Sequence, residues 1–318
     1  MKKIPPIIIS GSIAIDRIMN FGGDFTRLIK ADKIDSLSVS IFLDGLRDAR
    51  GGIGANIAYS MALLGDKPVL LGSIGPDGGE YISALAAMGI DTTHVHKSQF
   101  PTGSFNVITD GANRQIGGFY PGAMADSSSL SFAPWKDKNA FFVIAAHDPQ
   151  GMARQVEECK KYGLRLFYDI GQQVTNTGGE DIKAGVDAAE VLIANDYELS
   201  VICQKTGYSA AELKAKVPVV ITTLGGEGSV VEGKNVGLSI RVGIAPAPKV
   251  VDPTGAGDAY RAGFLHGYIR QWPLKTCAQL GTVCAAYAIE HAGTQNHSFS
   301  LAEAASRYKA AFDEDLPE

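Results

Sequence analysis

Residues 250–264 read VVDPTGAGDAYRAGF. Gly255 and Gly257 flank Ala256, and a carboxylate, Asp258, follows at the mouth of a helix-like run. Two glycines let the backbone fold so that N–H groups around Ala256, Gly257 and Asp258 point at one spot. The helix starting there adds the positive end of its dipole. Such a cluster of donors suits a phosphoryl group in transfer. A carboxylate beside it suits the removal of a proton from an alcohol as it becomes a nucleophile. The same aspartate also fits a plain helix cap, so this stretch alone leaves both readings open. Two other phosphate loops are excluded: G-x-x-x-x-G-K-[ST] is absent, and G-x-G-x-x-G fails because position 260 is Tyr.

Positioning such a loop needs a framework, and the apolar runs supply one. Residues 7–9, 69–72, 141–145, 164–168, 191–194 and 217–222 read as strands that are apolar nearly throughout. Helix-like segments at 56–64, 80–88, 152–162 and 210–216 fall between them, and the chain from Ala259 on is mostly helical in pattern. Strands alternating with helices argue a parallel sheet covered on both faces. Two segments break the rhythm. Residues 36–43 alternate polar and apolar like a half-exposed strand. Residues 105–109, a turn at 110–113 and residues 114–120 read as a hairpin. Both fit a small β-layer beside the main sheet.

The set DPTGAGD (252–258), GGIGAN (51–56), TLGGEG (223–228) and NDYE (195–198), in this order of specificity, resembles the ribokinase-like, or PfkB, family of small-molecule kinases. The resemblance runs through nearly the whole chain. It implies an α/β fold with a central, mainly parallel sheet covered by helices on both faces and a small β-sheet lid. Residues 1–318 then form one kinase domain, with lid segments at about 17–50 and 100–122.

The resemblance also assigns roles. Asp258 matches the family's catalytic base, with Gly255, Ala256 and Gly257 lining the hole for the transferred phosphate. Gly51, Gly52 and Asn56 match the motif that holds substrate hydroxyls, and Asp16 matches an aspartate that grips a vicinal diol. Asn195, Thr223, Gly225 and Gly228 match nucleotide-binding positions. Glu198 matches a residue that positions magnesium, usually through water, which suits an ion that keeps much of its hydration shell. Asp252 and Thr254 match positions that bind a monovalent cation, often potassium, in many relatives. Asp169, at a strand end, also has a place to face the phosphates. The cofactors implied are ATP and Mg²⁺, with K⁺ in part of the family, and several relatives dimerise through the lid.

DAYRAGF, AAYAIEHAGTQ (285–295) and FYDIGQQ (167–173) look most like the nucleoside-kinase branch. The acceptor implied is a nucleoside, adenosine first, with inosine, guanosine or cytidine as alternatives. Phe42, Phe105, Phe119 and Tyr120 offer stacking surface for a base, or else pack the lid itself. Ribose or another sugar as acceptor, and a binding protein that has lost catalysis, remain the rival readings.

Composition narrows the field. The 318 residues carry 45% hydrophobic and 20% charged residues with a net charge of -5, and no Lys/Arg cluster stands out, so nucleic acid is an unexpected partner. No apolar stretch approaches the ~18–20 residues of a membrane span, and a cytosolic location is expected. Cys159, Cys203, Cys277 and Cys284 show no C-x-x-C pair and read as reduced thiols. His94 and His96 have no third metal ligand in view.

Overall fold

The chain runs β1 (Ile7–Ser10), β2 (Ala14–Phe21), α1 (Phe25–Leu28), β3 (Gly45–Gly51), α2 (Ile53–Leu63), β4 (Val69–Leu71), β5 (Ser73–Ile74), α3 (Gly79–Ala87), β6 (His96–Lys97), β7 (Gly103–Asp110) and β8 (Gln115–Tyr120). It continues through β9 (Phe141–Ile144), α4 (Pro149–Tyr162), β10 (Arg165–Tyr168), α5 (Gly179–Ala188), β11 (Val191–Asn195), α6 (Asp196–Thr206), α7 (Ala210–Lys216) and β12 (Val219–Thr223). Strands β13 (Ser229–Glu232) and β14 (Ile240–Val242) precede α8 (Ala256–Ile269), α9 (Leu274–Ile289) and α10 (Leu301–Phe312). This computed structural model describes residues 4–30 and 35–317. Residues 31–34, within the first expected lid segment, lie outside the described residues, as do 1–3 and 318.

The main sheet has the order β14-β13-β12-β11-β10-β9-β1-β4. It is parallel from β4 to β12, and β13 and β14 are antiparallel additions at one edge. Side chains alternate across a strand with period two, and the core divides accordingly. Ile7, Ile9, Phe141, Val143, Phe167 and Ile193 face a cluster with α2, α3, α8 and α9. Ile8, Phe142, Ile144, Leu166 and Leu192 face the cluster built with α4 to α7. Both faces are buried, which is why these strands read as continuous apolar runs. Cys277 and Cys284 are both buried in α9.

A second sheet of four strands has the order β3-β2-β7-β8. The hairpin appears as β7 and β8, but the expected strand at 36–43 does not form. That segment has no strand pairing, and Leu37, Val39, Phe42 and Leu43 lie open, Phe42 at 96% exposure. An alternating pattern makes a strand only where one face has something to cover. The strand that does form, β3, reads GLRDARG and is held by its register with β2, in which Arg17 faces Asp48 and pairs with it at 3.0 Å.

Register decides which side chains stand together. Asp16 lies opposite Phe105, and Phe105 lies opposite Phe119, so the three form one row across β2, β7 and β8. Leu46, Met19, Ile108 and Ile116 form a second row of opposite parity, hence on the other face.

Candidate active site

The chain order reverses at β1, which has β4 on one side and β9 on the other. In sheets of this kind the crevice at the carboxyl ends of the strands beside such a reversal receives ligands. A cleft of about 620 Å³ lies there. Its walls come from the main sheet and its helices through Ser12, Asn56, Glu198, Asp258 and Arg261. The small sheet contributes Asp16, Phe105 and Phe119.

Asp258 is the third residue of α8, half-buried at the cleft wall. The helix begins there because Gly255 takes φ +83° at the N-cap, a conformation that a side chain disfavours. The Ala256 N–H donates to the Pro253 carbonyl at 3.2 Å. The Gly257 and Asp258 amides at the helix start are the donors left for an anion. Asp258 Oδ2 accepts from Asn56 Nδ2 at 2.8 Å. Burial pushes the Asp258 carboxyl up to about 6 although the Arg261 charge and the Asn56 amide pull it down.

Asp16 stands in the row with the two phenylalanines. Burial and the nearby Asp252 raise its carboxyl to about 6, and among the described residues it makes no hydrogen bond, so its oxygens remain open to hydroxyl groups. Gly52, at φ +94°, lets the chain pass between β3 and α2, and a Cβ there would meet the Ser12 carbonyl at 2.5 Å. At Gly51 a Cβ would strike the Asp16 carboxylate.

The remaining sequence-derived residues fall in two places. Asn195 and Glu198 form a capping box at the start of α6, at 2.7 and 2.8 Å. Glu198 also faces the cleft, and burial together with Asp169 raises its carboxyl. Thr223 pairs in register with Asn195, and Gly225 and Gly228 form the turn into β13. Asn195, Thr223, Gly225 and Gly228 therefore gather at the carboxyl ends of β11 and β12 next to Glu198, outside the cleft wall. Asp252 accepts the Thr254 and Gly293 amides, each at 2.9 Å. These bonds outweigh burial and hold its carboxyl below the usual range. Thr254 lines the cleft.

Asp169 differs from expectation. It is fully buried, and both of its oxygens are taken by Arg261, at 2.5 and 2.8 Å. Its carboxylate holds Arg261 in place and does not face a ligand directly. Arg261 lies one helical turn beyond Asp258 on the same face, and the sequence reading held it only as part of DAYRAGF. Of the four aromatic candidates, Phe105 and Phe119 line the cleft, and Phe42 and Tyr120 do not. Gln295, bonded to both Asn56 and Tyr81, entered the sequence reading only as the last residue of AAYAIEHAGTQ, and Tyr81 carried no sequence signal. Among the described residues no cluster of His, Cys, Asp and Glu is built to hold a metal ion. No described helix is long and apolar enough to cross a membrane.

Known proteins are similar to this chain in sequence and in fold. The pattern of the pfkB family of carbohydrate kinases matches residues 30–300. The nucleoside kinase of Methanothermobacter thermautotrophicus is 31% identical, over 92% of this chain and 95% of its own. The solved nucleoside kinase of Burkholderia thailandensis, in complex with inosine, superposes with a TM-score of 0.86 at 30% identity, covering 97% of this chain and 99% of that one. The Methanocaldococcus jannaschii nucleoside kinase structure gives 0.85 at 26% identity, with the same coverage.

Proposed function

The chain belongs to the pfkB family of carbohydrate kinases and is a phosphotransferase, and from that premise we propose that it moves the γ-phosphoryl group of ATP onto the 5′-hydroxyl of a ribonucleoside. One observation carries the choice of acceptor: the row Asp16, Phe105, Phe119 faces the same cleft as Asp258. Adjacent strands lie roughly 5 Å apart, so the row spans about the length of a nucleoside. Asp16 accepts the two ribose hydroxyls, and the phenylalanines beside it offer a stacking surface to the base. The similarity to nucleoside kinases, one of them solved with inosine, supports the same reading. Adenosine is the first candidate, with inosine, guanosine and cytidine next.

In this reading Asp258 takes the proton of the 5′-hydroxyl, and the Gly257 and Asp258 amides, with Ala256 at the same turn, receive the transferred phosphoryl oxygens. Gly51, Gly52 and Asn56 shape the hydroxyl side of the pocket. Asn195, Thr223, Gly225 and Gly228 hold the nucleotide at the carboxyl ends of β11 and β12. The donor set fits hard cations: Glu198 keeps one oxygen outside its capping box, and the Asp252 carboxylate and Thr254 hydroxyl are oxygen donors for a monovalent ion. Mg²⁺ on the phosphates would neutralise charge there. The small sheet acts as a lid (residues about 17–50 and 100–122) on one kinase domain, and its closure excludes water from ATP. The outward row that includes Leu46 and Ile116, both exposed, supports a second copy packing on the lid.

A coupled ADP-release assay over nucleosides, ribose and fructose 6-phosphate tests the acceptor, with thermal shift as the binding readout. A nucleoside at 100 times its Kd should stabilise the chain by about 2.7 kcal/mol. Stabilisation by sugars alone would overturn the choice, and tight nucleoside binding without ADP release would favour a binding protein.

Asp16→Ala should raise the acceptor KM about ten- to a hundredfold, since hydrogen bonds to a charged group are worth roughly 1.5–3 kcal/mol. The KM for ATP should stay within about twofold. Equal weakening of both substrates would remove Asp16 from the acceptor site.

A further inference from the structure

Behind Asp258 runs a chain of hydrogen bonds whose direction is fixed at both ends. Asn56 Nδ2 donates to Asp258 Oδ2 at 2.8 Å, and Asn56 Oδ1 accepts from Gln295 Nε2 at 2.8 Å. The same Gln295 Nε2 donates to the Tyr81 hydroxyl at 2.5 Å, which donates in turn to the Gly51 carbonyl at 2.8 Å. A carbonyl only accepts, and so does an ionised carboxylate. Tyr81 therefore spends its proton on Gly51 and must accept from Gln295. Asn56 spends its NH₂ on Asp258 and must accept from Gln295 as well. The arrangement closes only if the middle member supplies two hydrogens from one atom, and the Gln295 amide nitrogen does so. Tyr81 and Asn56 are buried at 4% and 3% exposure, so water has little room to replace either bond.

We propose that Gln295, backed by Tyr81, is a positioning residue that keeps the Asn56 amide turned with its NH₂ toward Asp258, so that the base is held ionised with Oδ1 open to the acceptor hydroxyl. This rests on the reading of Asp258 as the base. The chain also ties that base to Gly51, the last residue of β3, and so to the small sheet. The charged groups around the pair are Arg261 on the same helix, Asp169 after β10 and Asp16 on β2. Arg50 of β3 lies 5.8 Å from the Tyr81 ring centre. None of these is altered in the test.

Gln295→Glu replaces the NH₂ by an oxygen of the same size. An ionised Glu at that position can donate to neither neighbour. Asn56 then turns its NH₂ toward the new carboxylate and its oxygen toward Asp258, which must hold a proton to meet it. The acid limb of kcat/KM for the acceptor should move up by about one pH unit or more, a tenfold loss below the limb, with the KM for ATP unchanged. Gln295→Met, which removes donor and acceptor together, should cost roughly three- to tenfold in kcat with a smaller upward move of the limb. Tyr81→Phe should move it least.

A purely structural role would lower Tm and slow the reaction equally at every pH. A limb that stays in place in Gln295→Glu overturns the proposal. Should that variant not fold, an unmoved limb in both Gln295→Met and Tyr81→Phe does the same. Asp258→Asn, run in parallel, separates the two readings. If it retains turnover, the base and its positioning residue fall together, whereas if it is inactive and the limb stays in place, only the role of Gln295 falls.

Discussion

Asp258→Asn is expected to lower kcat by about 10²–10⁴, the usual range for a lost general base, with the acceptor KM nearly unchanged. The substitution keeps the shape and removes only the proton acceptor, and the new amide oxygen can still accept the Asn56 Nδ2 bond made at 2.8 Å. Stability should move the other way. The folded-state carboxyl sits at about 6, well above its ordinary 3.8, so between those values the folded chain binds the proton more tightly than the unfolded one. Stability from this group is present below about pH 4 and is lost as pH rises through 6. The Asn variant escapes that loss. Its Tm should exceed that of the native chain at pH 7.5, with the gap closing toward pH 4. In the native enzyme the acid limb of kcat/KM should fall near pH 6, where Asp16 also titrates, so the limb reports macroscopic values of the pair and not of Asp258 alone. Near-normal turnover in the variant would return Asp258 to a helix cap.

The main sheet was legible because it is buried on both faces. Runs such as FFVI and VLIAN need no alternation to be read as strands, and the flanking helices follow from the gaps between them. The small sheet was only half legible. β7 and β8 announce themselves by the turn at Asp110–Asn113, where Asn113 takes φ +60°, whereas β3 (GLRDARG) has a charged, glycine-bounded sequence with no apolar period. Its strand state comes from pairing with β2, a long-range contact that local pattern does not encode. The apolar pattern at 36–43 pointed to the wrong segment for the same reason: Leu37, Val39 and Phe42 are exposed.

The site divides in a similar way. Asp258, Asn56 and Asp16 belong to motifs, and the fold brings them to one cleft. Gln295 and Tyr81 lie 239 and 214 positions apart from their partners Asn56 and Gln295; Gln295 only closes the stretch AAYAIEHAGTQ, with no role attached to it, and nothing in the neighbours of Tyr81 marks that residue. Asn195 and Glu198 show the opposite limit: a motif tied to metal by resemblance is also a complete capping box, and either demand alone would select the same two residues.

The largest expected loss of stability is at Arg261→Met. Arg261 is 8% exposed, and its guanidinium grips Asp169, which is wholly buried, through two hydrogen bonds. Burial disfavours the arginine charge, yet the Asp169 carboxylate more than restores it and holds the group ionised. Removing the cation strands a buried carboxylate, which typically costs about 3–5 kcal/mol, or roughly 5–15 °C in Tm for a chain of this size. The double variant Asp169→Asn with Arg261→Met should recover most of the lost stability, since no charge is then left without a partner. Kinetically the same change removes the positive charge beside Asp258 and should raise the acid limb of kcat/KM. A fall in Tm below about 2 °C at pH 7.5, or a double variant no more stable than the single one, would show that Asp169 does not depend on Arg261 for its burial.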